Sequence, residues 1–131
     1  MSKKKVLIVD DELDMRIFLS TLLETSGYQP VTTRDGLDGV SKARTVKPDI
    51  IILDVMMPGE GGVQMYRKLK TDQELVSIPV VMLSAVEKIS FYHYLNMLNS
   101  RLTCPIPQPA AYLEKPVDPD QLLIVLKSLL L

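Results

Sequence analysis

Cysteine is nearly absent from this 131-residue chain: Cys104 stands alone, which excludes an intrachain disulfide and fits a reducing compartment. Its expected role is that of an unreactive packed or semi-exposed thiol. Long apolar runs are also missing. No stretch is long or charge-free enough to span a bilayer, and the N-terminus has no signal-peptide core, so a cytoplasmic domain with no membrane contact is expected. Neither sign of charge dominates. The net charge of −1 leaves no overall attraction to nucleic acid or acidic lipid, and Lys3-Lys4-Lys5, the one basic run, reads as a solvated lead-in to the first strand. Repeats and low-complexity linkers are lacking too, so residues 1–131 are expected to form one domain around one core.

What is present alternates. Apolar runs suited to buried strands (Val6 to Val9, Ile50 to Leu53, Val80 to Leu83, and a short Ala110 to Leu113) are interleaved with amphipathic segments. A weaker strand holds Val31 and Thr32 after Pro30. Met15, Phe18, Leu19 and Leu22 recur at helical spacing, with Gly27 as the helix stop. A second helix is expected from about Gly36 to Val46, ended by Pro48. A third, carrying Val63, Tyr66 and Leu69 on one side, follows Pro58 and three glycines. A long helix is expected over 86–102. Asp118-Pro119-Asp120-Gln121 opens the last helix with a capping pattern. This order predicts an α/β fold, a three-layer α/β/α sandwich over a parallel sheet.

The strand ends carry the chemistry. Asp10 and Asp11 follow the first strand, Asp54 ends the third, Ser84 the fourth and Lys115 closes the fifth. A carboxylate at the mouth of a buried strand is costly unless its charge is used. Three acids, a hydroxyl and an ammonium at one sheet edge suit a divalent cation and a phosphoryl group. An N-cap role would account for one of Asp10 and Asp11, and a cap of the next helix would account for Ser84. No helix starts directly after Asp54, so capping does not explain it.

Four segments, each after its own strand, resemble the receiver domain of two-component response regulators: Val9-Asp10-Asp11-Glu12, Leu53-Asp54-Val55-Met56-Met57-Pro58-Gly59, Leu83-Ser84-Ala85 and Tyr112-Leu113-Glu114-Lys115-Pro116. The resemblance covers essentially the whole chain and implies a flavodoxin-like, five-stranded sheet of order 2-1-3-4-5. It implies a signalling switch, not an enzyme, that accepts a phosphoryl group on Asp54 from a sensor histidine kinase or histidine phosphotransfer protein. Asp10, Asp11, Asp54 and the Met56 backbone carbonyl would bind Mg2+ (or Mn2+), with Asp10 acting mostly through water. Lys115 and Ser84 would hold phosphoryl oxygens beside the Ala85 N–H. Ser84 and Tyr112 would form the switch, and the Lys115–Pro116 bond is typically cis in the family.

The chain departs from that family after the fourth strand. Ser84 and Lys115 lie 31 positions apart, about nine more than expected. No glycine follows Gly62, Gly61 stands where an acid is frequent, and Cys104-Pro105-Ile106-Pro107-Gln108-Pro109 makes a stiff connection. The fourth helix is therefore expected to be lengthened or repositioned. It carries Phe91, Tyr92 and Tyr94, expected to pack on the sheet, with an interface patch as the alternative; His93 among them reads as a surface or packing residue. The last helix is apolar on nearly all sides, which suggests homodimerisation through the fourth helix, fifth strand and fifth helix, or contact with a further domain; the tail Leu129-Leu130-Leu131 favours a fragment of a longer protein. The competing function is a non-switching interaction module. A haloacid-dehalogenase-like phosphohydrolase would need Asp-x-Asp where this chain has Asp10-Asp11-Glu12, and a flavodoxin-like nucleotide carrier would need a phosphate loop that is lacking.

Overall fold

Each apolar run becomes a strand and each amphipathic segment a helix. The computed structural model describes residues 2–56 and 61–131. Its elements are β1 (Lys5–Val9), α1 (Leu13–Thr25), β2 (Gln29–Thr33), α2 (Gly36–Val46), β3 (Ile50–Asp54), α3 (Gly62–Thr71), β4 (Val80–Ser84), α4 (Lys88–Asn99), β5 (Ala111–Glu114) and α5 (Pro119–Leu129). The strands form one parallel sheet in the order β2-β1-β3-β4-β5. This is the expected three-layer sandwich. Met57, Pro58 and Gly59, which complete the second motif, lie outside the described residues. Among the described residues no helix is long and apolar enough to cross a membrane.

Successive strand side chains point to opposite faces. Leu7, Val9, Ile51, Leu53 and Met82 therefore meet Ala43 of α2, Met65, Tyr66 and Leu69 of α3, and Phe91 and Leu95 of α4. Val6, Ile8, Ile50, Ile52 and Leu83 meet Leu19 and Leu23 of α1 and Leu122 and Leu126 of α5. With both faces covered, β3 and β4 are buried throughout, which is why their sequences run apolar without alternation. Val9 pairs with Leu53, Asp54 with Leu83 and Ser84 with Glu114. The register thus ends four strands nearly level and gathers Asp10, Asp54, Ser84 and Lys115 at one edge.

The expected helix signals hold at several ends. Asp118 Oδ1 accepts the Asp120 and Gln121 N–H groups at 3.0 and 3.5 Å, with Pro119 in the first helical position. Gly27 sits past α1 at φ +93°, a backbone that a side chain would strain. Two expectations need correction. Phe18 is 39% exposed, and the buried stripe of α1 runs through Leu19 and Leu23 instead. The fourth helix is not lengthened: α4 spans 12 residues, and the extra positions lie in the connection to β5. There the Asn99 side chain clasps the returning chain. Its Nδ2 donates to Ile106 O and its Oδ1 accepts the Ile106 N–H, each at 2.8 Å. Ile106 is 4% exposed within the α3–α4 core, and the buried Tyr66 donates its hydroxyl to Pro107 O at 2.7 Å.

Phe91 is buried and Tyr92 half-buried, as expected for packing, whereas Tyr94 is exposed. On α5, Leu122 and Leu126 are buried while Ile124 is 68% exposed. The all-round apolar helix is thus covered on one side only.

Candidate functional site

The order reverses between β1 and β3, the neighbours that carry Asp10 and Asp54, and open α/β sheets bind ligands at that point. Asp10 and Asp54 are 1% and 3% exposed, whereas Asp11 and Glu12 face solvent. One ligand oxygen from each of these four carboxylates lies within 4.8 Å of the others. Lys115 Nζ stands 3.5 Å from Asp10 Oδ2, 3.5 Å from Asp54 Oδ2 and 3.7 Å from Glu12 Oε1. Lys115 is brought there by its own N–H, which donates to Ser84 O at 2.7 Å, and the Lys115–Pro116 bond is cis.

Electrostatics follow from this crowding. Burial, and then the charge of Asp10, push Asp54 up to about 6, against the opposing pull of Lys115 and of the Met56 N–H, which donates to Asp54 Oδ1 at 3.1 Å. Burial likewise raises Asp10, although it accepts the Glu12 N–H at 2.9 Å and faces Lys115. At Lys115 burial favours the neutral amine, but the carboxylates of Asp54, Asp10 and Glu12 prevail and hold it above its ordinary value. Two buried acids against one ammonium leave negative charge uncompensated. Hard oxygen donors in that state fit a divalent cation.

Ser84 is fully buried at the end of β4, where its Oγ accepts the Val86 N–H at 2.9 Å. It braces the turn before α4 and hydrogen-bonds none of the acids, while the N-cap of α4 is Glu87. Ala85 is exposed beside it. Tyr112, 5% exposed, donates its hydroxyl to Val86 O at 2.7 Å and stacks on Phe91 with ring centres 5.0 Å apart. Bonds from Ser84 and Tyr112 therefore meet on one residue, Val86.

Sequence reasoning did not place three residues that shape this edge. Glu12 was visible beside the acid pair but not as a member of the cluster. Arg16, one helical turn further on, donates from Nη1 to Asp10 O at 2.7 Å. Gly62 lets α3 start hard against β3: a Cβ there would sit 2.3 Å from Asp54 O and 2.7 Å from Val55 Cα. Only a glycine satisfies that approach, and no one-dimensional signal reveals it.

These features define a doubly wound α/β domain with a cluster of carboxylates at its switch point. The family model for the response regulator receiver domain matches residues 6–127. The polar-differentiation response regulator DivK of Brucella ovis is 39% identical over 85 residues, covering 65% of this chain and 68% of DivK. Chemotaxis protein CheY4 of Vibrio cholerae superposes with TM-score 0.83 at 26% identity, covering 98% of this chain and 99% of that one. The signal receiver domain of a signal transduction histidine kinase from Syntrophus aciditrophicus does so with TM-score 0.81 at 29% identity, over 97% and 89%. The chain belongs to the response regulator receiver family. Members of that family bind Mg2+ through acidic residues and interact with histidine kinases or phosphotransfer proteins.

Proposed function

We propose that this receiver is a phosphorylation-dependent switch with Asp54 as its acceptor. The placement of Asp54 carries the reading: a buried carboxylate at the end of β3, beside Asp10 and 3.5 Å from the Lys115 ammonium. An Asp54 oxygen would attack the phosphorus of a phosphohistidine on a sensor kinase or phosphotransfer protein. The P–N bond breaks as the O–P bond forms, and the electron pair stays on the imidazole nitrogen, which takes up a proton. The product is an acyl phosphate on Asp54. Lys115, freed from its shared carboxylates, would hold one phosphoryl oxygen, the Ser84 hydroxyl a second and the Ala85 N–H a third. Asp10, Asp11, Asp54 and the Met56 carbonyl would hold Mg2+ (or Mn2+), which supplies the charge neutralisation that lets a phosphoryl anion approach a carboxylate.

The readout runs through Val86. Ser84 Oγ accepts the Val86 N–H and would loosen that bond as the hydroxyl turns inward to donate to a phosphoryl oxygen, and Val86 O is what holds the Tyr112 hydroxyl. The charge at Asp54 is thereby passed to the start of α4, and the face of α4, β5 and α5 becomes the output, with homodimerisation its expected use in a cytoplasmic setting. Exposed Ile89, Met97 and Ile124 support that face as an interface. One observation favours a second reading. The Asn99–Ile106 clasp fixes the far end of α4 and would suit an interaction module that no longer switches.

Intact-protein mass after incubation with acetyl phosphate, with and without Mg2+, tests the chemistry. A single Mg2+-dependent phosphoryl adduct, absent from Asp54→Asn, is expected; an adduct that persists in the variant would sink the assignment. Unchanged α4 amide resonances in the phosphorylated protein would select the non-switching reading.

A further inference from the structure

The two acids of the β1–α1 turn are held very differently. The Asp10 carboxylate accepts the Glu12 N–H and faces Lys115. Asp11 is exposed, and among the described residues nothing donates a hydrogen bond to its carboxylate. Its direction therefore depends on the backbone of the turn. On the strand side that backbone is fixed by the Asp10 N–H, which donates to Thr33 O at 3.1 Å. On the helix side it is fixed by the Arg16 guanidinium, 2.7 Å from Asp10 O. The Asp10 carbonyl belongs to the peptide leading into Asp11, so a turn of that peptide re-aims the Asp11 side chain and shifts the Glu12 N–H that holds the Asp10 carboxylate. Arg16 is itself anchored, since its N–H closes the first turn of α1 on Glu12 O at 3.0 Å. Its planar, permanently charged head gives a directional, charge-assisted bond to a neutral carbonyl.

We propose that Arg16 is a positioning residue for the cation edge, orienting Asp10 and Asp11 through the Asp10 carbonyl without touching the ion. The inference rests on the Mg2+ assignment above and adds a sign that separates it from a simple charge effect. A guanidinium beside a cation site repels the cation, so removing its charge alone would tighten binding. Removing a group that aims the ligands would weaken it, and partners one layer behind a metal's ligands typically account for 10- to 100-fold in affinity.

The test is a Mg2+ titration followed by backbone amide resonances in wild type, Arg16→Met and Arg16→Lys, with thermal unfolding in Mg2+-free buffer alongside. Arg16→Met keeps the aliphatic stem and the helix preference but loses the donor; Arg16→Lys keeps the charge and one reachable N–H. The expected result is a Mg2+ Kd about tenfold weaker in Arg16→Met, intermediate in Arg16→Lys, at an unfolding temperature close to wild type. Phosphorylation by acetyl phosphate should then slow at limiting Mg2+ and recover at saturating Mg2+. Equal or tighter Mg2+ binding by Arg16→Met overturns the inference and leaves the receiver chemistry intact. A wild type with no saturable Mg2+ site overturns both. Should Arg16→Met fail to fold, Arg16→Ala, which likewise removes both the donor and the charge, meets the same criterion: weaker Mg2+ binding than wild type supports positioning, and equal or tighter binding overturns it.

Discussion

At the carboxyl edge of the sheet, Asp10 and Asp54 are buried with charge that the protein only half compensates, and both carboxyls are driven upward by that burial. The α4–β5 connection has the opposite character. The backbone of buried Ile106 is met on both sides by Asn99, Pro107 O accepts the Tyr66 hydroxyl, and the Ile106 side chain fills the α3–α4 core. One region holds free energy in reserve for a ligand; the other is satisfied as it stands. A receiver must be unsettled where it takes its input, whereas a connection that merely closes the fold has no such need.

The contrast breaks most visibly at Ile106. Ile106→Ala should cost about 3 kcal/mol in urea denaturation, the usual cost of truncating a large buried aliphatic side chain. Phosphorylation of the remaining folded protein should be unchanged, because the residue contributes nothing to the acid edge. A variant that lost phosphorylation in proportion to stability would show that the two regions are one unit.

Asp54→Asn sharpens the same comparison from the other side. The Asp54 carboxyl titrates near 6 in the folded protein and near 3.8 when unfolded, so the native state binds the proton more tightly. The Asp54 contribution to stability therefore declines as pH rises from about 4 through 6, and its penalty is complete above the folded value. Asp54→Asn has no such titration. In Mg2+-free buffer it should exceed wild type by about 2 kcal/mol at pH 7.5, and the advantage should fade towards pH 4. Millimolar Mg2+ should stabilise wild type and leave the variant nearly unmoved. Equal stability at both pH values would mean that Asp54 is not strained by its burial.

The two regions also differed in what the chain alone could disclose. Asp10, Asp54, Ser84 and Lys115 were legible because each ends an apolar run, where a polar group needs a reason to be. Gly62 and Arg16 were not. Their roles appear only when α3 is laid against β3 and α1 folds back over the turn before it. The end of α4 was misjudged for a related reason. Leu98 and Leu102 continue the helical spacing, and nothing nearby in sequence announces a stop. Past Asn99 the chain tightens into shorter turn bonds, Arg101 N–H to Leu98 O and Leu102 N–H to Asn99 O, while the Asn99 side chain holds the backbone of Ile106, a partner seven residues on. Phe18 was misplaced because two positions at the edge of an apolar stripe look alike in one dimension, and only the sheet decides which is covered.

Asn99→Ala should therefore unsettle the quiet region without loss of core volume. Leaving the Ile106 N–H and carbonyl unpaired costs about 1.5 kcal/mol. Amide exchange should accelerate at 100–107 while the β1 and β3 amides keep their protection. Uniform acceleration would mean that the clasp supports the whole sheet and not one connection.

The smallest effect lies where the regions meet. Tyr112→Phe removes one hydroxyl and keeps the ring that stacks on Phe91. The Val86 carbonyl loses its donor, worth about 1 kcal/mol. No hydrogen bond to Asp54, Asp10 or Lys115 is removed, so the rate of phosphorylation by acetyl phosphate should stay close to wild type. What should change is transmission. In wild type, phosphorylation is expected to shift amides from Val86 into α4 as Ser84 loosens its hold on the Val86 N–H, and in Tyr112→Phe those shifts should shrink because the responding hydroxyl is gone. Amide spectra of both proteins with and without acetyl phosphate decide it. Shifts of equal size would place the path to α4 elsewhere, with Tyr112 serving only to pack the ring cluster.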